Sequence, residues 1–205
     1  MKRCVIVGGA PIGDYGAIRE YFRDDDFFIF CDSGLFHADP LFVVPDLIIG
    51  DFDSHERPDT DVETIVLPTV KDDTDTVFAA KEALRRGFTE FLLVGVIGAR
   101  LDHTLCNVYL MYDLFSKGCK ALIADDSSDM LIVGKTPEIV EKRYPFFSLL
   151  NITGTARGVT ITGAKYPLEN AVIESGYQYA VSNEVAADRA VITVSDGCVL
   201  LIKDR

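Results

Sequence analysis

Two rhythms of apolar residues run along the chain, and the change between them divides it. In the first part, short unbroken apolar runs at residues 4–7, 27–31, 47–49, 64–67, 91–96 and 121–124 alternate with stretches of helical character. Val, Ile, Leu and Phe follow one another in these runs without a polar residue at every second place, as in parallel strands covered on both faces. Helical spacing is clearest at 74–86, which closes on Arg85-Arg86-Gly87, and after Gly98, where Leu101, Leu105, Val108, Tyr112 and Phe115 recur about once per turn. A shorter helix is predicted over 14–22. Beyond about residue 125 the helical period stops. Strand-like pieces follow at 130–133, 138–140, 146–152, 159–162, 171–173, 190–194 and 199–202, set apart by Gly134, Pro137, Gly154, Gly158, Gly163, Pro167 and Gly176.

The pattern predicts an α/β protein: a Rossmann-like parallel α/β domain over residues 1–125, then a small antiparallel β-sandwich domain over 126–205. Asp196-Gly197, between two apolar runs, predicts a tight hairpin. There is no internal repeat and no low-complexity linker.

Composition narrows the function classes. At 205 residues and 48% hydrophobic, the chain has ample material for a core. A formal net charge of −12 argues against a nucleic-acid partner, which clustered Lys and Arg would have to hold, and suits a small cationic substrate. No apolar run is long enough to span a bilayer, and the start at Met1 reads as a first strand rather than an export signal. The five cysteines are odd in number, without paired spacing and lodged in apolar segments, which predicts reduced thiols and a cytoplasmic protein.

Candidate chemistry lies where predicted strands end. Gly50-Asp51-Phe52-Asp53-Ser54, Lys71-Asp72-Asp73-Thr74-Asp75 and Arg100-Leu101-Asp102-His103 all fall at carboxyl ends, where open α/β sheets bind ligands. Converging carboxylates raise each other's pKa unless a cation neutralises them; oxygen donors this hard suit Mg²⁺, which usually holds phosphates as well. Singly, each Asp has an ordinary explanation as a turn former or helix cap. Repetition is what points to a metal and phosphate site. Asp32 either accepts from a ribose hydroxyl or caps the next helical turn. The Gly8-Gly9-Ala10-Pro11 turn admits phosphate or ribose to the backbone without completing a dinucleotide fingerprint. His103 and Asn107 stand one turn apart and can reach a common ligand, with Arg100 beside them. Ser182-Asn183-Glu184 is a polar set between strands that composition alone assigns to a surface turn.

Taken together, Asp32-Ser33-Gly34, Gly50-Asp51-Phe52-Asp53-Ser54, Lys71-Asp72-Asp73-Thr74-Asp75, Gly98-x-Arg100-Leu101-Asp102-His103 with Asn107, Gly163-x-Lys165-Tyr166 and Ser182-Asn183-Glu184 resemble the bacterial thiamine pyrophosphokinase family over essentially the whole chain. The resemblance implies an ATP-binding α/β domain, a β domain supplying part of a thiamine pocket, and a homodimer with active sites between subunits. It implies Mg²⁺-dependent transfer of a pyrophosphoryl group from ATP to thiamine. Carried over by position, it gives Asp51, Asp53 and Asp72 to metal, and Asp32, Gly34, Lys71, Thr74, Arg100, His103 and Asn107 to ATP. Asp75, Ser182 and Asn183 fall to thiamine, while Asp51, Asp53, Asp72, Asp75, Arg100 and Asp102 form the catalytic set. Two departures stand out: Ser33 replaces the usual second residue of Asp-Gly-Gly, and the chain has no Trp, so Tyr or Phe must face the substrate ring. The rival expectations are a pyrophosphokinase for another alcohol such as a pterin, and a regulatory module that binds nucleotide or thiamine without turnover.

Overall fold

A computed structural model describes residues 3–53, 59–70, 72–98 and 100–205, and the chain divides into two compact units, Met1–Asp126 and Ser127–Arg205. The first contains β1 (Cys4–Val7), α1 (Tyr15–Arg19), β2 (Phe27–Cys31), a 3-10 turn (Asp32–His37), α2 (Ala38–Leu41), β3 (Leu47–Gly50), β4 (Thr64–Val66), α3 (Asp75–Arg85), β5 (Glu90–Val94), α4 (Leu101–Ser116) and β6 (Lys120–Ala124). Its strands pair in parallel in the order β6-β5-β1-β2-β3-β4. The chain therefore builds outward from β1 to β4, crosses back through α3, and continues on the other side of β1. Every residue of β1 and β3 is buried, which explains the unbroken apolar runs. Thr74 caps α3 by accepting from the Val77 N–H. The buried Ala79, Ala80 and Ala83 let that helix lie close on β1, β2 and β3, and Gly87, at φ +90°, turns the chain off its end.

At the amino ends of the strands, opposite the ligand-binding ends, Arg3 ties β1 to the approach to β2. Its guanidinium donates to both carboxylate oxygens of Asp26, at 2.9 and 2.7 Å, and to the Tyr21 carbonyl. Both side chains are nearly or wholly out of solvent, at 6% and 0% exposure, so each charge depends on the other.

The second unit holds β7 (Ser128–Val133), β8 (Glu138–Glu141), β9 (Phe146–Leu150), β10 (Thr155–Thr162), β11 (Leu168–Glu174), β12 (Ala180–Asn183), β13 (Arg189–Thr193) and β14 (Val199–Asp204). These form antiparallel sheets in the orders β12-β9-β14-β7 and β11-β10-β13-β8. Phe147, Leu149, Val199 and Leu201 of one sheet share a core with Val140, Ala156, Ile161, Ala190 and Ile192 of the other, as in the expected sandwich.

The Asp196-Gly197 hairpin is not formed. β13 and β14 lie in different sheets, and the turn between them packs on β10: Arg157 N–H donates to the Asp196 carbonyl at 2.9 Å. Gly197, at φ +74°, leaves no room for a Cβ, which would stand 2.6 Å from the Thr155 carbonyl oxygen. Its dihedral freedom serves a passage between sheets, which local sequence does not distinguish from a hairpin turn. Two smaller differences concern α1, which covers only part of 14–22, and Ser182-Asn183, which ends strand β12 rather than forming a loop. Among the described residues no helix is long and apolar enough to cross a membrane.

Two outcomes are expected. Replacing Asp26 by Asn strands a buried guanidinium and costs about 3–5 kcal/mol, read from the denaturant midpoint and slope. Glu82, bonded to both Arg85 and Arg86 and mostly shielded by them, has its carboxyl pulled from an ordinary 4.5 down to about 2. Its stabilisation is complete above 4.5 and fades as the pH falls toward 2, so Glu82→Gln flattens the acid limb of the stability profile in that window.

Candidate active site

Where the strand order reverses, the carboxyl ends of β1, β2, β3 and β5 and the starts of α3 and α4 enclose a cleft of about 500 Å³. Its floor depends on close backbone approach. Gly8 N–H donates to the Val94 carbonyl (2.9 Å) and Ala10 N–H to the Gly95 carbonyl (2.8 Å). A Cβ on Gly8 would meet the Gly95 carbonyl oxygen at 2.6 Å, so β1 and β5 can end side by side only if that position is glycine.

Of the predicted site residues, Asp32, Asp51, Thr74, Asp75, Arg100, His103 and Asn107 line this cleft. Asp53, Asp72 and Asp102 are exposed and do not line it. Gly34 is buried, packed so closely on β1 that a Cβ would strike the Val7 carbonyl, so its role is contact between backbones. Lys71 and Ser54 lie outside the described residues. Cys31, also in the lining, has its thiol pushed well above its usual pKa by burial first and then by the neighbouring Asp75 charge, which keeps it protonated and unreactive.

Among the described residues, no three His, Cys, Asp or Glu side chains draw together tightly enough to cage a metal ion. Mg²⁺ keeps several waters and is held by one or two carboxylates together with substrate phosphates, rather than by an all-protein cage. Asp51, with the Asp53 N–H at 3.3 Å from its carboxylate, and Asp75 at the start of α3 place such oxygen donors on one cleft.

On the α4 side, Arg100 forks onto Asp102 at 3.0 and 2.7 Å, and this bond raises the pKa of the one and holds the other well below the usual carboxylate range. Both side chains are largely in water, so the pair orients the guanidinium more than it stabilises the fold. Thr104 holds Gly98 by accepting from its N–H at 3.1 Å. Asn107 is buried, and its amide is engaged within the protein. Nδ2 donates to the Val96 carbonyl at 2.9 Å, and Oδ1 accepts from Thr76 at 2.8 Å, which lies 3.1 Å from the Thr74 hydroxyl. Asn107, expected as an ATP contact, lines the cleft and also joins the start of α3 to the segment after β5.

In the second unit, Asn183 is likewise buried and committed. Its Oδ1 accepts from the N–H groups of Tyr166 (3.0 Å) and Glu184 (2.9 Å), and its Nδ2 donates to the Tyr166 carbonyl (2.8 Å). Asn183 thus fixes the backbone of Tyr166, whose ring remains 57% exposed under the Lys165 ammonium, itself bonded to Glu184 at 2.6 Å. Ser182 is exposed at φ +55°, with its N–H on the Ser148 hydroxyl. The Gly-x-Lys-Tyr motif was the one signal in the sequence that marked Tyr166.

Comparison with known proteins accounts for both units. The family described as Thiamin pyrophosphokinase, catalytic domain, matches residues 18–123, and that described as Thiamin pyrophosphokinase, vitamin B1 binding domain, matches residues 136–199. Thiamine pyrophosphokinase of Bacillus subtilis (strain 168) is 26% identical over 211 residues, covering 99% of each chain. Among solved structures, that of thiamine pyrophosphokinase from Bacillus subtilis superposes with a TM-score of 0.88 at 23% identity, covering 100% of this chain and 99% of the other. That of thiamin pyrophosphokinase from Geobacillus thermodenitrificans gives 0.84 at 26% identity, covering 100% and 98%. With the catalytic-domain match alone spanning more than half of its length, the chain belongs to the thiamin pyrophosphokinase family.

Proposed function

We propose how this chain carries out the family's reaction, transfer of a pyrophosphoryl group to thiamine to give thiamine diphosphate. ATP occupies the cleft of the first unit, the thiamine hydroxyl oxygen attacks the β-phosphorus as its proton passes to solvent, and the bond from that phosphorus to the oxygen of the α-phosphate breaks, releasing AMP. One observation carries this reading: Asp32, Asp51, Asp75 and the Gly8–Pro11 turn, drawn from distant parts of the sequence, converge on a single cleft at the reversal of strand order.

Such a transfer asks little covalent chemistry of the protein; it asks that attacking oxygen, phosphorus and leaving oxygen be aligned and the charge spread. Bound Mg²⁺ supplies much of that neutralisation. Asp51 holds it in this reading, with the exposed Asp53 and Asp72 completing the set. Arg100, oriented by Asp102, meets the phosphates, with Lys71, Thr74 and His103 on the nucleotide side and Asp32 accepting from the ribose. Asp75 faces the cationic thiazolium or the aminopyrimidine of thiamine, which an acidic site favours over an anionic acceptor. Tyr166 supplies the aromatic face that the absence of Trp leaves open, and Ser182 a polar contact beside it. The same reading makes the enzyme a cytoplasmic homodimer, in keeping with cysteines that are all free and mostly buried.

An assay with ATP, Mg²⁺ and thiamine is expected to release AMP and thiamine diphosphate in equal amounts; ADP as the nucleotide product would refute pyrophosphoryl transfer. Asp51→Asn is expected to lower kcat by about a hundredfold or more in a protein whose circular dichroism is unchanged. Wild-type turnover in that variant would remove Asp51 from the metal site. Tyr166→Leu is expected to raise KM for thiamine by about threefold to tenfold through loss of ring stacking, while KM for ATP stays put; equal changes in both constants would show that the ring does not face the acceptor.

A further inference from the structure

Beneath the first glycine turn lies a buried histidine that the reaction just described does not use. Gly8, Gly9, Ala10 and Pro11 all line the cleft. Because Pro11 follows Ala10, the peptide joining them has a carbonyl and no N–H. Turned into the cleft, that carbonyl would set its negative end against an approaching phosphate, with no donor of its own peptide to offset it.

The carbonyl is held elsewhere. The Ala10 oxygen lies 3.0 Å from Nε2 of His37. A carbonyl oxygen only accepts, so Nε2 carries the proton, and Nδ1 is left to accept from the Tyr15 hydroxyl at 2.8 Å. His37 comes from the 3-10 turn after β2, is 8% exposed and does not line the cleft, so its bond draws the carbonyl toward the protein interior. The Tyr15 ring, 5.7 Å from the imidazole between centroids, walls it in. Burial lowers the pKa of His37 in spite of the Ala10 bond, which favours the neutral ring with its single N–H. Farther along, the Asp126 carboxylate accepts from the N–H groups of Gly13 (2.5 Å) and Asp14 (2.9 Å). The turn is thus anchored on both sides of Pro11.

We infer that His37 is a positioning residue of the enzyme: backed by Tyr15, it keeps the Ala10 carbonyl out of the cleft, so that the Gly8–Pro11 turn offers a polyphosphate a surface free of an opposing dipole. The inference rests on the assignment of this cleft to ATP. It is specific to the nucleotide side, since His37 touches neither the acids of the cleft nor the second unit's Tyr166 in any bond described above.

The test compares His37→Leu, His37→Gln and Tyr15→Phe in the full-length enzyme by steady-state kinetics with Mg²⁺, ATP and thiamine, by calorimetry of ATP binding, and by melting temperature. Losing one buried hydrogen bond to the turn is expected to raise KM and Kd for ATP about tenfold in His37→Leu, with kcat and KM for thiamine within about twofold of wild type. The Gln variant, whose amide N–H reaches the same carbonyl, is expected within about threefold of wild type for ATP, and Tyr15→Phe at a similar partial loss. If His37→Leu does not fold, Tyr15→Phe and His37→Gln decide the matter by the same constants. The inference is overturned if wild type binds ATP and the Leu variant binds it equally well. It is overturned too if Gln is as impaired as Leu at equal melting temperature, or if kcat falls while KM for ATP stays fixed. A wild-type protein that binds no ATP would instead sink the assignment of the cleft, and this inference with it.

Discussion

Parallel pairing of β1 with β2 on one side and β5 on the other is the constraint from which the site follows. Parallel strands send all their carboxyl ends to one edge of the sheet, and a reversal of order beside β1 leaves neighbouring connections to diverge, opening a crevice between them. Asp32, Asp51, Gly95 and the residues that begin α3 and α4 reach that crevice because each follows a strand directly or through a short connection. Gly8 and Gly95, in close approach, both line the crevice. A bulkier residue at either place would push the two strand ends apart and take the floor of the cleft with them.

Against that frame the charges divide into two groups. Away from the cleft, acids are matched with cations: Asp26 with Arg3, Glu90 with Arg23, Glu63 and Glu82 with Arg86, Asp73 with Lys81 and Asp113 with Lys117. Pairings that are mostly exposed contribute little each. In the cleft itself, among the described residues, three acids, Asp32, Asp51 and Asp75, line the wall with one cation, Arg100, a balance that favours cations and the phosphates they carry.

Several buried polar side chains in each unit are bonded within the protein. Asn107 holds α3 against β5, Asn183 holds Tyr166, and His37 holds Ala10. Each is buried, and each satisfies peptide groups that would otherwise lack partners at an irregular turn. In a linear sequence such residues look the same as ligand contacts, because the reacting groups and their supports are both polar and stand within a few positions of each other.

The sequence by itself determined the elements whose cause is local or periodic. The buried parallel strands, the helices at α3 and α4, the change of grammar near residue 125 and the acids at strand ends could all be read from residue order, because burial on two faces, helical spacing and capping leave their marks on neighbouring residues. Only tertiary structure decided which of those acids share a cleft, since Asp53 and Asp72 occur in the same motifs as Asp51 and Asp75, and Asp102 in that of Arg100, yet all three are exposed outside it. It also decided that Asp196-Gly197 passes between sheets instead of closing a hairpin, because the same left-handed glycine serves either turn and the choice is made by the backbone of β10 packed against it. His37 gave no signal at all in the sequence. Its part depends on a carbonyl 27 positions away, brought within bonding distance by the pairing of β1 with β2, and no local pattern encodes a distance of that kind.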